Sequence, residues 1–324
     1  MNATNSGQGG RSAFWDAVKA ILICLVITGH CIQYFTDGDF WSNPVFRSIY
    51  IFHMPLFMMI GGYFGVRGIS RRGWAAVPRL AMRILPPVLL IVILKAIFWV
   101  GWHHLPISRL TETNMGALWF LVVIMECCIF AAAMATFRNI VWRAAWIILP
   151  LLLGILWPQY IPYSEYLTTM WPCYLIGAAL SLAGFSDRHI RGWWWISLPL
   201  AAAAAWLFRN TWYMYLNPLT ADPAAIYAWL ARLGCAACCG AAFLYILKLC
   251  RAEHLAILPG IGAHTLALYV LQALFFRGAG MLGFIPPMST ELACLCGVVV
   301  TAALYAIFLG TRKVKIISIL LYGE

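Results

Sequence analysis

The residues of this chain best suited to chemistry sit where a lipid environment should exclude them. Asp16, Lys19 and His30 lie in the apolar run FWDAVKAILICLVITGH. At about 100° per residue, Lys19 and His30 share one face of a helix and lie about 16 Å apart along its axis. Asp16 precedes Lys19 by one turn, within reach of an ion pair. His53, in YIFHMPLFMMIGGYF, reaches a similar depth on the next apolar run, which enters from the opposite side. A neutral imidazole tolerates burial and has an unperturbed pKa of about 6.5, so His30 suits a general base and His53 a second chamber group. The alternative for each histidine is a bond to a backbone carbonyl that only locks helix packing.

The second feature is the basic segment VRGISRRGWAAVPRLAMRILPP. It carries Arg71, Arg72, Arg79 and Arg83, the last two on one helical face if the following helix begins early. Guanidinium forks match phosphate oxygens bidentately, so the segment fits a phosphate-bearing ligand or anionic lipid headgroups. Lys95, Glu126, Arg232 and Glu291 also fall within apolar runs, where they can line a cavity or pair with one another; Glu126 is the strongest cavity candidate. His103 and His104 read as interfacial anchors, and His189, His254 and His264 as headgroup contacts. Trp41, Trp102, Trp157, Trp212 and Tyr213 form a candidate carbohydrate-stacking set. The 11 cysteines read as small apolar packing residues; Cys235, Cys238 and Cys239 share one helix, with no second ligand pair nearby.

These groups must be carried by membrane helices. The chain has 324 residues, 63% hydrophobic and 10% charged, with mean hydropathy +0.84, which excludes a large soluble catalytic domain. Its apolar content supplies about ten spans of about 20 residues each. They are expected near 17–36, 45–66, 84–102, 115–136, 141–157, 167–184, 193–208, 224–247, 257–276 and 291–310. The expected fold is an all-α polytopic bundle of about ten transmembrane helices. It comprises a short N-terminal tail (1–16), one membrane domain (17–310) and a short basic tail (311–324). Apart from Arg47, Lys95, Arg109, Arg209, Arg232 and Arg277, every basic residue then falls on one side, which puts both termini in the cytoplasm. The net charge of +11 is thus an orientation signal, and nucleic acid is not an expected partner. The first apolar run is as long as a full span and lacks a small-residue cleavage site, so it is read as part of the mature protein.

The first run, with Lys19 and His30 separated by ten residues, resembles the opening signature of the acyltransferase-3 family of bacterial membrane acyltransferases. Lysine in place of the commoner arginine resembles the branch containing fucose acetyltransferase-like proteins. FHMPLFMMIGGYF at 52–64, ALWFL at 117–121, WPCYLIGAAL at 171–180 and IGAHTLALYVLQ at 261–272 are similar, in order, to later motifs of that branch. Gln272 stands where members often carry histidine. Arg79 and Arg83 are spaced more widely than the arginine pair of some members.

The resemblance implies an acyl-CoA-dependent O-acyltransferase of the cell membrane. Acetyl is moved from cytosolic acetyl-CoA to a hydroxyl of a surface carbohydrate or lipid-linked glycan. His30 is then the general base, or alternatively the carrier of a covalent acetyl group. Asp16 and Lys19 position the helix or the donor, His53 and Glu126 line the chamber, and Arg71, Arg72, Arg79 and Arg83 with Lys19 meet the CoA phosphates. No metal is expected. The partners are the bilayer and a glycan or glycolipid acceptor, with a homo-oligomer left open. A multi-pass transporter of a glycan or other small molecule is the competing reading.

Overall fold

The computed structural model describes residues 12–103, 118–282 and 287–323. Arg11, His104, Arg109 and the start of the fourth expected span lie outside the described residues, as do the side chains of Lys95, Trp102 and His103.

The described residues are helical and contain no strand. In chain order the helices are α1 (Ala13–Phe35), α2 (Pro44–Tyr50), α3 (His53–Arg72), α4 (Ala76–His103), α5 (Trp119–Thr136) and α6 (Ile140–Leu156). They continue as α7 (Ser164–Leu182), α8 (Ser197–Leu207), α9 (Pro223–Leu249), α10 (Ile257–Ala263), α11 (Thr265–Leu282) and α12 (Thr290–Thr311). Each of the ten expected apolar runs coincides with a helix or a broken pair of helices. The second is interrupted at Ile51 and Phe52, and the ninth is bent by 77° at His264. By length and apolar composition five helical stretches among the described residues can cross a membrane, or six when α10 and α11 count as one span. With the family evidence below, this is a multi-pass membrane protein.

The starts of several helices follow from local chemistry. Asn43 accepts from the Val45 and Phe46 amides at the head of α2, and Asp222 accepts from Ala224 ahead of Pro223 at the head of α9. Each satisfies amides that have no partner within the helix. Helix α4 begins at Ala76, early enough to put Arg79 and Arg83 on its first turns.

Helix α1 is the most enclosed of the long spans and packs against α10, α11 and α12 as well as α2 and α3. Glycine permits these approaches. Gly262 of α10 lies against the Asp16 backbone, and Gly297 of α12 lies against Thr28. The broadest helix pairing is α3 with α7. There Gly62 faces the Tyr174 main chain and Gly177 faces that of Met59, so a Cβ at either position would run into backbone.

The basic C-terminal segment folds back on the bundle. Tyr322 is 1% exposed, its ring 4.9 Å from Phe308 and its hydroxyl 2.5 Å from Thr311 Oγ1. Gly323 abuts the Arg83 backbone, so the chain end braces the first turns of α4.

Gly62→Ala and Gly177→Ala should each force α3 from α7 and destabilise the protein by about 1–3 kcal/mol, read as a lower thermal midpoint in detergent. Gly68→Ala, on the same helix with open space around it, should leave the midpoint unchanged or raise it; equal losses at all three would refute the close-approach explanation.

Candidate functional site

The site is built around the last turns of α1. His30 is half-buried, and its Nδ1 lies 3.1 Å from Gln33 Oε1, one turn along the helix. An amide oxygen only accepts, so Nδ1 carries the proton and Nε2 keeps the lone pair of the neutral ring. That is the arrangement of a general base held by an orienting partner. The ring also packs against Phe276 of α11, with centroids 5.4 Å apart.

His53 is the first residue of α3 and is 2% exposed. Its Nδ1 donates to the Ile49 carbonyl at 2.8 Å, satisfying an acceptor near the α2–α3 break. The packing role considered for this histidine is therefore present, while its Nε2 is left as a lone pair. Tyr50 links the two imidazoles: its ring sits against Gly29, next to His30, and its centroid is 4.5 Å from that of His53.

Lys19 pairs with Asp16 at 2.6 Å, with Asp16 4% exposed, and the ammonium lies 5.8 Å from the Phe64 ring. The pair stays on the same unbroken helix as His30, three turns away. Arg71 and Arg72 end α3, and Arg79 and Arg83 begin α4; all four are exposed and none forms an ion pair with a carboxylate among the described residues. Lys248, one of the basic residues behind the orientation argument, is paired with acids. It donates to Asp187 at 2.7 Å and to Glu253 at 3.2 Å, and lies 4.8 Å from the Phe14 ring.

Of the other apolar-run charges, Glu291 neither lines a cavity nor meets a basic partner. It is fully exposed in the first turn of α12, where the amide end of the helix favours a carboxylate. Glu126 is partly buried and its Oε2 has no hydrogen-bond partner. Arg232 is 4% exposed and pairs with no acid. Its Nε donates to the Trp212 carbonyl (2.6 Å), Nη1 to Thr169 Oγ1 (2.8 Å) and Nη2 to the Asn217 carbonyl (2.6 Å). One planar guanidinium thus pins the 209–217 loop to α7 and α9. Burial pushes the phenols of Tyr213 and Tyr215 on this loop well above the ordinary tyrosine value, so both keep their protons. His264 is packed against Phe308, 4.6 Å away, where a headgroup contact was expected; His189 and His254 are exposed. Among the described residues no group of three or more His, Cys, Asp or Glu is placed to hold a metal ion.

Sequence reasoning missed Gln33 and the loop anchored by Arg232. Gln33 was legible in principle, since three residues from His30 is a neighbouring helical position. The loop was not, because Thr169, Trp212 and Asn217 are distant in sequence.

A bundle of long apolar helices defines the class, an integral membrane protein, and the sequence comparison gives its family. A family model described as an acyltransferase domain matches residues 12–308, and the chain belongs to this acyltransferase-3 family. It is similar to a protein named nodulation protein NolL from Mesorhizobium japonicum, 28% identical over 98% of this chain and 92% of that relative. A protein of the same name from Sinorhizobium fredii is 33% identical over 41% of this chain, a match that spans 39% of that relative. No solved structure matches the chain.

Arg232→Lys should not preserve the clamp, because one ammonium cannot reach three acceptors in three directions. Limited proteolysis should then cut within residues 209–217, and the thermal midpoint should fall; wild-type protection would detach the loop from Arg232.

Proposed function

We propose that this protein is a membrane O-acetyltransferase that moves acetyl from cytosolic acetyl-CoA to a carbohydrate hydroxyl. The observation that carries this reading is the His30 imidazole, oriented through Nδ1 by Gln33 with Nε2 open, in a chain of the acyltransferase family. In this reading both termini are cytoplasmic, which puts the exposed arginines at the α3–α4 turn on the acetyl-CoA side. Arg71, Arg72, Arg79 and Arg83 meet the CoA phosphates, and the extended pantetheine arm is of the same order as the roughly 16 Å between Lys19 and His30. The motifs of the fucose acetyltransferase-like branch support a glycan or glycolipid acceptor.

In the reaction, His30 Nε2 removes the proton of the acceptor hydroxyl as its oxygen attacks the thioester carbonyl carbon. The tetrahedral adduct collapses, the carbon–sulfur bond breaks, and the departing CoA thiolate takes the proton back from His30. Gln33 keeps the ring in the correct tautomer and stabilises the imidazolium. The Lys19–Asp16 pair holds the donor end of α1 against α3 and α10, and His53 borders the chamber through Tyr50.

His30→Ala should lower kcat by about 10²–10⁴-fold with radiolabelled acetyl-CoA and an accepting glycan. Gln33→Leu should give a smaller loss while expression persists. Rapid-quench labelling without acceptor should leave the protein unlabelled; acetyl on protein that disappears in His30→Ala would replace direct transfer with an acyl-enzyme. Arg79→Ala with Arg83→Ala should weaken CoA binding by calorimetry, and unchanged affinity would remove them from the donor site. Sealed vesicles that move a glycan without acetyl-CoA would favour the transporter reading.

A further inference from the structure

The aromatic residues near His53 are organised in a way that the donor half of the reaction does not explain. Trp41 precedes α2, Tyr50 ends it, Trp119 starts α5, Tyr163 and Tyr166 flank the start of α7, and Tyr215 lies on the loop pinned by Arg232. Four distant stretches of chain therefore meet. Tyr215 is at the centre, with ring centroids 5.9 Å from Trp41, 5.9 Å from Tyr50, 5.4 Å from Tyr166 and 6.1 Å from Trp119. Trp119 and Tyr166 are 4.7 Å apart, and Tyr163 stacks on Tyr166 at 5.9 Å. The series runs inward to Tyr50 and so to His53, 4.5 Å away. Trp41, Tyr50, Tyr163, Tyr166 and Tyr215 are all half-buried, neither sealed in the core nor fully exposed.

Two buried oxygens in this half of the bundle lack partners. The Tyr213 hydroxyl is buried without a partner, and its ring is 4.9 Å from Trp41. Glu126 lies seven residues beyond Trp119, two turns along the same face of α5, with Oε2 buried and unpaired. Leaving a carboxyl oxygen and a phenol unsatisfied inside a membrane bundle is costly, and such atoms are rare unless a ligand or water completes them. A purely apolar occupant such as a lipid tail would complete neither.

We infer that these rings, with the Tyr213 hydroxyl and Glu126 Oε2, form the acceptor site and receive a pyranose ring. A pyranose has C–H faces that lie flat on aromatic rings and hydroxyl edges that exchange hydrogen bonds with a carboxyl group and a phenol. The inference rests on the carbohydrate-acceptor reading above and adds where the sugar is held. The sugar enters at the end of α3 that carries His53, opposite the arginine end. Arg232 is a positioning residue, since it acts by fixing the loop that brings Tyr213 and Tyr215 to the site.

The test uses the full chain purified in detergent and saturation-transfer NMR, with methyl α-fucopyranoside and methyl β-glucopyranoside as probes. At least one should receive magnetisation from the protein. Trp41→Ala and Tyr215→Ala should each weaken its binding by about tenfold, a loss of the size expected for one aromatic contact. Tyr215→Phe should retain binding, and Glu126→Gln should weaken it. Trp142→Ala, exposed on α6, should change nothing. Thermal midpoints and CoA binding in each variant show that the bundle remains folded. Absence of signal from both probes in the wild type, or unchanged affinity in the ring variants, would overturn the site. Ring-dependent glycoside binding in a protein that transfers no acetyl would keep the site and sink the reaction; acetyl transfer that persists with unchanged acceptor KM in the ring variants would do the reverse.

Discussion

Lipid tails solvate an apolar helix about as well as another helix does, so burial of leucine and isoleucine alone does not hold this bundle together. Close main-chain contact must do so, and the structure depends on it. Gly62 and Gly177 let α3 and α7 touch backbone to backbone, while Gly262 and Gly297 bring α10 and α12 onto α1. Helix α1 is thereby enclosed along most of its length. The stripe from Asp16 to His30 is therefore held by helices on several sides, and its geometry follows from how closely they approach.

The same environment sets the rules for polar groups. Most buried ones are satisfied within the bundle: Asp16 by Lys19, His53 by the Ile49 carbonyl and Arg232 by two carbonyls and a hydroxyl. Lys248 uses two acids to tie the end of α9 to the segments at Asp187 and Glu253. Against that background the unpaired atoms stand out. The Tyr213 hydroxyl remains without a partner beside the aromatic series, Glu126 Oε2 without one two turns along α5 from Trp119, and the Gln272 amide nitrogen is likewise buried and unpaired on α11. Gln272 lies one turn from Phe276, which packs on His30.

The two ends of the bundle differ in character. The turn between α3 and α4 exposes arginines without acidic partners, suited to a polyanion. The end at His53 gathers rings with a few polar atoms, suited to a neutral, hydroxyl-rich ligand. Helix α3 connects them, with His53 as its first residue and Arg71 and Arg72 as its last. Its 20 residues span about 30 Å, the thickness of a bilayer core.

The amino-acid sequence by itself determined the all-helical class of fold and the positions of the apolar runs. Hydropathy and charge are local quantities, and a membrane imposes nearly regular helix on any apolar run of that length. The spacing of Asp16, Lys19 and His30 was legible for the same reason: within one helix, separation in sequence is separation in space. Only the tertiary structure decided which residues meet across helices. The break before His53, the exposure of Glu291, the acidic partners of Lys248, the loop clamp of Arg232 and the convergence of aromatic rings on Tyr215 depend on helix crossing and loop path. These are set by backbone approach at a few glycines and by single polar contacts between distant segments, which no local pattern records.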